Sequence, residues 1–267
     1  VSQFAAQGAH ALLGDSTYPI IKAMSASHSE ISMRNDIAPF TDPRVRQAVA
    51  LSLDRPAMVQ ALIAGNGHAG NDNPFAPKFP STNTSVPQRA QNIAKAKALL
   101  AAAGHPNGFA TTLTTGQQAE TPQLAQVIAQ SVSRIGVKMK LNVETLTAYY
   151  GKATYGDSDW LDAIVSLVQY GDRGVPNVFL EAPLESDGPW NAARFKNKDY
   201  DRLVAQYVAT IDLQTQRTIA GKIETLLLDE TPLMIPYFTD LLAATTQRVH
   251  GVNINGFAIF LKDAYMA

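Results

Sequence analysis

The stretch "PFTDPRVRQAVALSLDR", residues 39–55, holds two helix starts. Asp42 stands before Pro43, and Asp54 stands two residues before Pro56. Each aspartate can accept a first-turn N–H as an N-cap, and proline suits the first turn because its missing N–H costs nothing there. The spacing predicts a helix pair, with Val45, Ala48, Val49 and Leu53 on one face and Arg44, Arg46 and Gln47 projecting from the other sides. The second helix, "RPAMVQALIAG", is expected to stop at Gly65. Three arginines beside an apolar stripe leave two readings, a basic binding surface or scaffold.

Composition narrows the classes. The 267 residues are 46% hydrophobic, enough for a sizeable core in one or two domains. Lys and Arg number 22 against 23 Asp and Glu, a net charge of −1, with no block of like charge. A nucleic-acid partner is therefore not expected. The apolar runs "DAIVSLVQY" and "ALLAAAG" fall short of the roughly 18 to 20 residues that span a bilayer. Absence of cysteine excludes disulfides and thiolate chemistry. The opening "VSQFAAQGAH" lacks a basic n-region and reads as the middle of a structured segment, so a piece of a longer chain is expected.

Outward from the helix pair, residues 18–35 alternate like one long bent strand or two short ones. Residues 65–88, rich in Gly, Pro, Asn and Ser, read as a long irregular loop able to rim a cleft. Beyond it come helix 92–103, strand 109–115, helix 121–135, strand 137–144, a short helix near 147–154 and strand 162–170, an α/β alternation. A further short helix, helices 199–210 and 213–229, the strand "PLMIPYF" and an extended tail complete the chain, with the two ends expected to share a sheet.

Familiar motifs fail on context. "GNGHAG" at 65–70 fits a dinucleotide fingerprint, but a helix precedes it and a Pro-rich loop follows. His10, His28, His68, His105 and His250 form no H-x-x-x-H pair and read as surface or loop residues; no metal or cofactor is expected. Ser16 and Ser158 sit in Gly-Asp-Ser turns, not in a nucleophile elbow. Asp172 follows the apolar strand directly, in a turn with Gly171, Gly174 and Pro176, where α/β folds bind ligands. Its position alone also fits a solvated turn aspartate or helix cap.

The opening stretch resembles the helix-pair motif of family 5 extracellular solute-binding proteins, the dipeptide and oligopeptide receptors of ABC importers. The resemblance continues in order through "NIAKAKALLAAAGHPNGF", "VIAQSVSRIGVKMKLN", "DAIVSLVQYGDRGVPNVFL", "WNAARFKNKDYDRLVAQ" and "ETPLMIPYF", covering roughly residues 28–240. It makes the arginine-bearing helices scaffold. It implies an α/β fold, a periplasmic-binding-protein type II-like lobe with a mixed sheet flanked by helices. Residues 29–241 would form the C-terminal ligand-binding lobe, and 1–28 with 242–267 would belong to the N-terminal lobe and hinge.

The resemblance further implies a non-enzymatic receptor, periplasmic or lipid-tethered outside the cell, monomeric when complete, delivering a peptide-like ligand to ABC permease subunits. In such receptors an aspartate of a D-x-x-x-P turn pairs with the ligand's α-ammonium, which Asp172 and Pro176 match. The preceding strand adds the peptide as a further strand, which would involve the backbones of Val168 and Tyr170. Tyr149, Tyr150, Trp190 and Asn191 can line the cleft or belong to the core. The strand "IVSLVQY" lacks the arginine that some oligopeptide receptors use for a carboxylate. Non-peptide solutes (a nickel chelate, haem, an opine, a sugar), a serine hydrolase using Ser158 and a sensory or scaffolding module are the alternatives.

Overall fold

The computed structural model describes residues 1–4, 10–255 and 258–267; residues 5–9 and 256–257, within the expected end segments, lie outside the described residues. The chain runs through β1 (Ser2–Phe4), α1 (His10–Leu13), β2 (Ile20–Met33), α2 (Pro43–Leu51), α3 (Arg55–Ile63), β3 (Gly67–Ala69), α4 (Ile93–Ala102) and β4 (Ala110–Gly116). Next come α5 (Thr121–Ser133), β5 (Lys138–Glu144), α6 (Leu146–Tyr150), α7 (Asp159–Asp162), β6 (Val165–Tyr170) and α8 (Asn177–Glu181). The remainder is α9 (Lys198–Ala209), α10 (Leu213–Glu230), β7 (Leu233–Met234), β8 (Tyr237–Ala244), β9 (Val249–His250), β10 (Asn253–Ile254), β11 (Ile259–Phe260) and β12 (Tyr265–Met266).

The helix pair forms as its caps dictate. Asp42 Oδ1 accepts the Arg44 N–H at 2.8 Å and Asp54 Oδ1 that of Ala57 at 3.1 Å. Val45, Ala48, Val49 and Leu53 are fully buried. The second helix ends two residues before Gly65, because Ala64 already turns left-handed at φ 50°. Arg46 does not project outward: it is 2% exposed and donates to the carbonyls of Phe40 at 2.7 Å and Glu230 at 2.8 Å. Gln47 and Arg89 donate to the Asp229 and Leu228 carbonyls, so these side chains together satisfy the C-terminal end of α10, where cations are favoured. The arginine-rich start is scaffold.

A mixed eight-stranded sheet lies at the centre, in the order β1-β8-β2-β6-β4-β5, with β3 on β8 and β7 on β2. The parallel strands β5, β4 and β6 meet antiparallel β2, and β2 meets antiparallel β8. Side chains alternate between the faces. Ile31, Met33, Val165 and Leu167 enter a core with α2 to α5, while Ala26 and Phe238 pack with α9 and α10 on the other. Within "GNGHAG", Gly67 serves close packing of β3 on β8: a Cβ there would lie 2.1 Å from the Phe238 carbonyl oxygen. Strand β6 starts at Val165, three residues later than expected, because Asp159–Asp162 forms α7, with the Asp162 carboxylate accepting the Gly156 N–H at 2.7 Å.

The long loop after β3 is tied down by charge. Arg55, 1% exposed, donates to both oxygens of fully buried Asp72 at 2.7 Å, and Arg89 Nε lies 3.1 Å from the same carboxylate. Removing the acid leaves two buried cations uncompensated. Asp72→Ala is therefore expected to lower unfolding stability by about 3 to 5 kcal/mol in urea titration, whereas Asp199→Ala, which breaks the exposed pair with Arg202, costs less than about 1 kcal/mol.

Candidate functional site

The carboxyl end of β6 emerges between β2 and β4, and hydrogen-bond parity decides which of its peptide groups are available. The Arg34 N–H donates to the Ile164 carbonyl at 3.0 Å, while the Met33 N–H donates the other way, to Pro232 at 3.2 Å. Even-numbered residues of β2 thus face β6, and the register pairs Glu30 with Val168 and His28 with Tyr170. The peptide groups of Val168 and Tyr170, expected to receive an added strand, are turned to β2 instead. Pairing with β4 ends at Leu167, whose carbonyl accepts from Thr115 Oγ1 at 2.8 Å and the Tyr149 hydroxyl at 2.9 Å. Alternation therefore points the peptide group of Gln169 to the side where β4 has ended. Gly171 beyond it is exposed, with nothing within 4 Å of the position a Cβ would take.

Asp172 closes this edge with a carboxylate that has no exposed surface. Its Oδ2 accepts from the Ala26 N–H at 3.0 Å, the Ser25 hydroxyl at 3.3 Å and the Lys78 ammonium; Oδ1 accepts from the Gly174 N–H at 2.7 Å. Burial pushes the Asp172 pKa up, but Lys78 and the two backbone donors outweigh it and hold the carboxyl below its usual value. The cation expected from a ligand is thus supplied by the chain. Ser25 and Ala26 belong to a bulge in β2, where three residues between Ala23 and Ser27 stand opposite Asp240 alone. Lys78 escaped the sequence reading because nothing local links it to an acid 94 residues away.

The aromatic candidates form a packed cluster. Tyr149 is 1% exposed, and Tyr170 stacks on the half-buried Trp190 with centroids 5.8 Å apart. Trp160, which sequence reasoning did not single out, donates from Nε1 to the Tyr170 hydroxyl at 3.2 Å. Asn191 is buried and spends its amide on the chain, donating to the Glu185 and Phe195 carbonyls and accepting the Phe195 N–H. Val168 lies beneath, packed in the same cluster.

His28 is not a surface or loop histidine: it is 1% exposed in β2, edge-on to Phe179 at 4.8 Å and Phe238 at 5.5 Å. Its Nδ1 meets the Ala26 carbonyl at 2.8 Å, and Nε2 has no partner among the described residues. Burial pushes its pKa down to about 4. Two residues on, Glu30 is equally buried, with one oxygen accepting the Ser32 hydroxyl at 3.1 Å and the other unpartnered. Burial pushes its pKa up to about 8. Both groups are therefore neutral at pH 7.

Ser158, the hydrolase candidate, is buried and its hydroxyl donates to the Tyr149 carbonyl at 3.2 Å. Among the described residues no three His, Cys, Asp or Glu side chains gather as a metal site. No helix among them is long and apolar enough to cross a membrane. A cavity of about 910 Å³ lies at the amino ends of β4 and β5, lined by Ala110 and Lys138, away from Asp172. Open α/β sheets bind ligands at the carboxyl ends, so the β6 turn is the better candidate.

The mixed sheet and its flanking helices define a lobe of the type II periplasmic-binding-protein class. The chain belongs to the bacterial extracellular solute-binding proteins, family 5, whose "family 5 Middle" model matches residues 1–188. It is 28% identical to heme-binding protein A of Haemophilus influenzae over 76% of this chain and 37% of that protein. It is 26% identical to glutathione-binding protein GsiB of Escherichia coli K12 over 86% of this chain and 44% of that protein. The chain therefore spans less than half the length of these relatives. The periplasmic binding protein DppA of Helicobacter pylori, solved with the peptide STSA, superposes with a TM-score of 0.81 at 20% identity, over 96% of this chain and 50% of that one.

The buried pair on β2 sets a pH dependence. Folding raises the Glu30 pKa from 4.5 to about 8, so the folded protein keeps a proton that the unfolded chain releases, and stability falls as pH rises through that window. His28 acts oppositely: its pKa falls from 6.5 to about 4, so its contribution is complete above pH 6.5 and is lost as pH falls towards 4. Glu224, raised by burial to about 7, adds to the Glu30 effect only in its lower range. Denaturant unfolding is expected to show stability declining between pH 7 and 8, and Glu30→Gln to flatten that decline.

Proposed function

We propose that this chain forms most of one ligand-binding lobe of the substrate-binding component of an ABC importer, taking a peptide-like solute. The observation that carries the reading is the edge of β6 left open at Gln169 and Gly171, beside the Asp172 turn and at the carboxyl ends of parallel strands. An extended ligand laid there would gain main-chain hydrogen bonds, a mode that tolerates many side chains. Trp190, partly exposed above Tyr170, is the wall for a side chain, with Tyr149, Val168 and Asn191 supporting it from below.

Residues 29–241 make the C-terminal lobe, and 1–28 with 242–267 make the hinge and part of the N-terminal lobe. Both boundaries fall inside strands, β2 and β8, which suits continuous hinge strands. The complete receptor acts outside the cytoplasm, in the periplasm or tethered by lipid, as a monomer that docks on permease subunits. Its role in this reading is recognition: the site offers binding groups, and the Ser158 hydroxyl is spent on the Tyr149 carbonyl.

Native mass spectrometry of the complete receptor as purified tests this directly. A heterogeneous set of short peptides is expected, and backbone N-methylation of a bound peptide is expected to weaken it by about tenfold or more. A single non-peptide mass, such as a haem, a nickel chelate, an opine or a sugar, would retire the peptide reading while leaving the transport fold in place.

A further inference from the structure

The acid at the end of the open β6 edge already has four donors, one of them a cation. Both Asp172 oxygens are occupied, by Ala26, Ser25 and Lys78 on one and Gly174 on the other, and none of its side-chain surface is exposed. Lys78 is held from its backbone: Ala76 before it is fully buried, Phe79 after it is 6% exposed, and Pro77 and Pro80 flank it. Only its side chain, 15% exposed, has room to move.

We infer that Lys78 sets the ligand class of this receptor, making it indifferent to a free amino group at the ligand end that meets the Asp172 turn. The inference rests on the peptide-like reading of the same edge. An incoming ammonium would have to displace Lys78, exchanging one buried ion pair for an identical one and leaving the lysine without its acid. Such an exchange yields no net attraction, since the strength of a buried pair lies in not leaving a charge uncompensated. Ligands whose end is uncharged, an acylated peptide or a cyclic or lactam-capped one, lose nothing by comparison. Without Lys78 the carboxylate would keep only neutral donors and would attract a ligand cation.

The test uses the complete receptor, stripped of bound material, and a mixture of short peptides together with its N-acetylated copy, with retained species quantified by mass spectrometry. Wild type is expected to hold free and acetylated forms within about threefold of each other, Lys78→Met to favour free amines by about tenfold or more, and Lys78→Arg to behave as wild type. A wild-type preference of about tenfold for free amines overturns the inference while the peptide reading stands, and needs no variant. An unchanged ratio in a folded Lys78→Met protein overturns it as well. Retention of neither form by wild type or variants removes the peptide reading, and this inference with it.

Discussion

A strand with neighbours on both edges must hand each peptide group to one side or the other, and β2 does so by parity. From residue 27 to residue 34 its even positions bond towards β6 and its odd positions towards β7 and β8. That rule turns Val168 and Tyr170 inward and leaves Gln169 facing out. Before it, the bulge lets Ser25 and Ala26 leave the ladder and donate to Asp172. A one-residue slip of β2 would exchange the two sets of peptide groups and remove the site.

Buried ionisable groups fall into two kinds, and the difference is whether a group of opposite charge is in ion-pair contact. Asp72 with Arg55 and Arg89, and Asp172 with Lys78, form ion pairs, the first fixing the loop after β3 and the second joining segments 94 positions apart. His28 and Glu30 form no ion pair among the described residues and are neutral instead, one by losing a proton and the other by keeping it; for His28 burial outweighs the pull of the Asp172 carboxylate. Charged junctions resist separation because parting them strands a buried charge, whereas the neutral pair makes its strand sensitive to pH.

Local chemistry was legible in the sequence, and long-range pairing was not. Asp42 and Asp54 cap the predicted helices, and β4, α5 and β5 fall within a residue or two of their expected spans, because caps and periodicity act over a few residues. The position of Asp172 was legible as a strand-end turn, but its partner was not, since Lys78 lies in a loop whose course depends on Arg55 and Asp72. Arg46 was misplaced because a helical wheel assigns charge to solvent, whereas this guanidinium finds a buried cluster of carbonyls contributed by a helix almost two hundred positions later. The peptide groups of β6 could not be assigned from pattern alone: alternation gives two answers, and only the register with β2 chooses between them.

That last choice leads back to the stretch at 39–55. Arg46 accommodates the carbonyls of Glu230 and Thr231, which ends α10 with Thr231 in the left-handed region at φ 47°. The turn delivers Pro232, whose carbonyl takes the Met33 N–H and so commits the odd side of β2 to β7. With the odd side committed, the even side belongs to β6, and Gln169 is left facing outward. The helix pair touches no part of the candidate site, yet its buried arginine stands at the start of the chain of bonds that decides which peptide groups the site can offer.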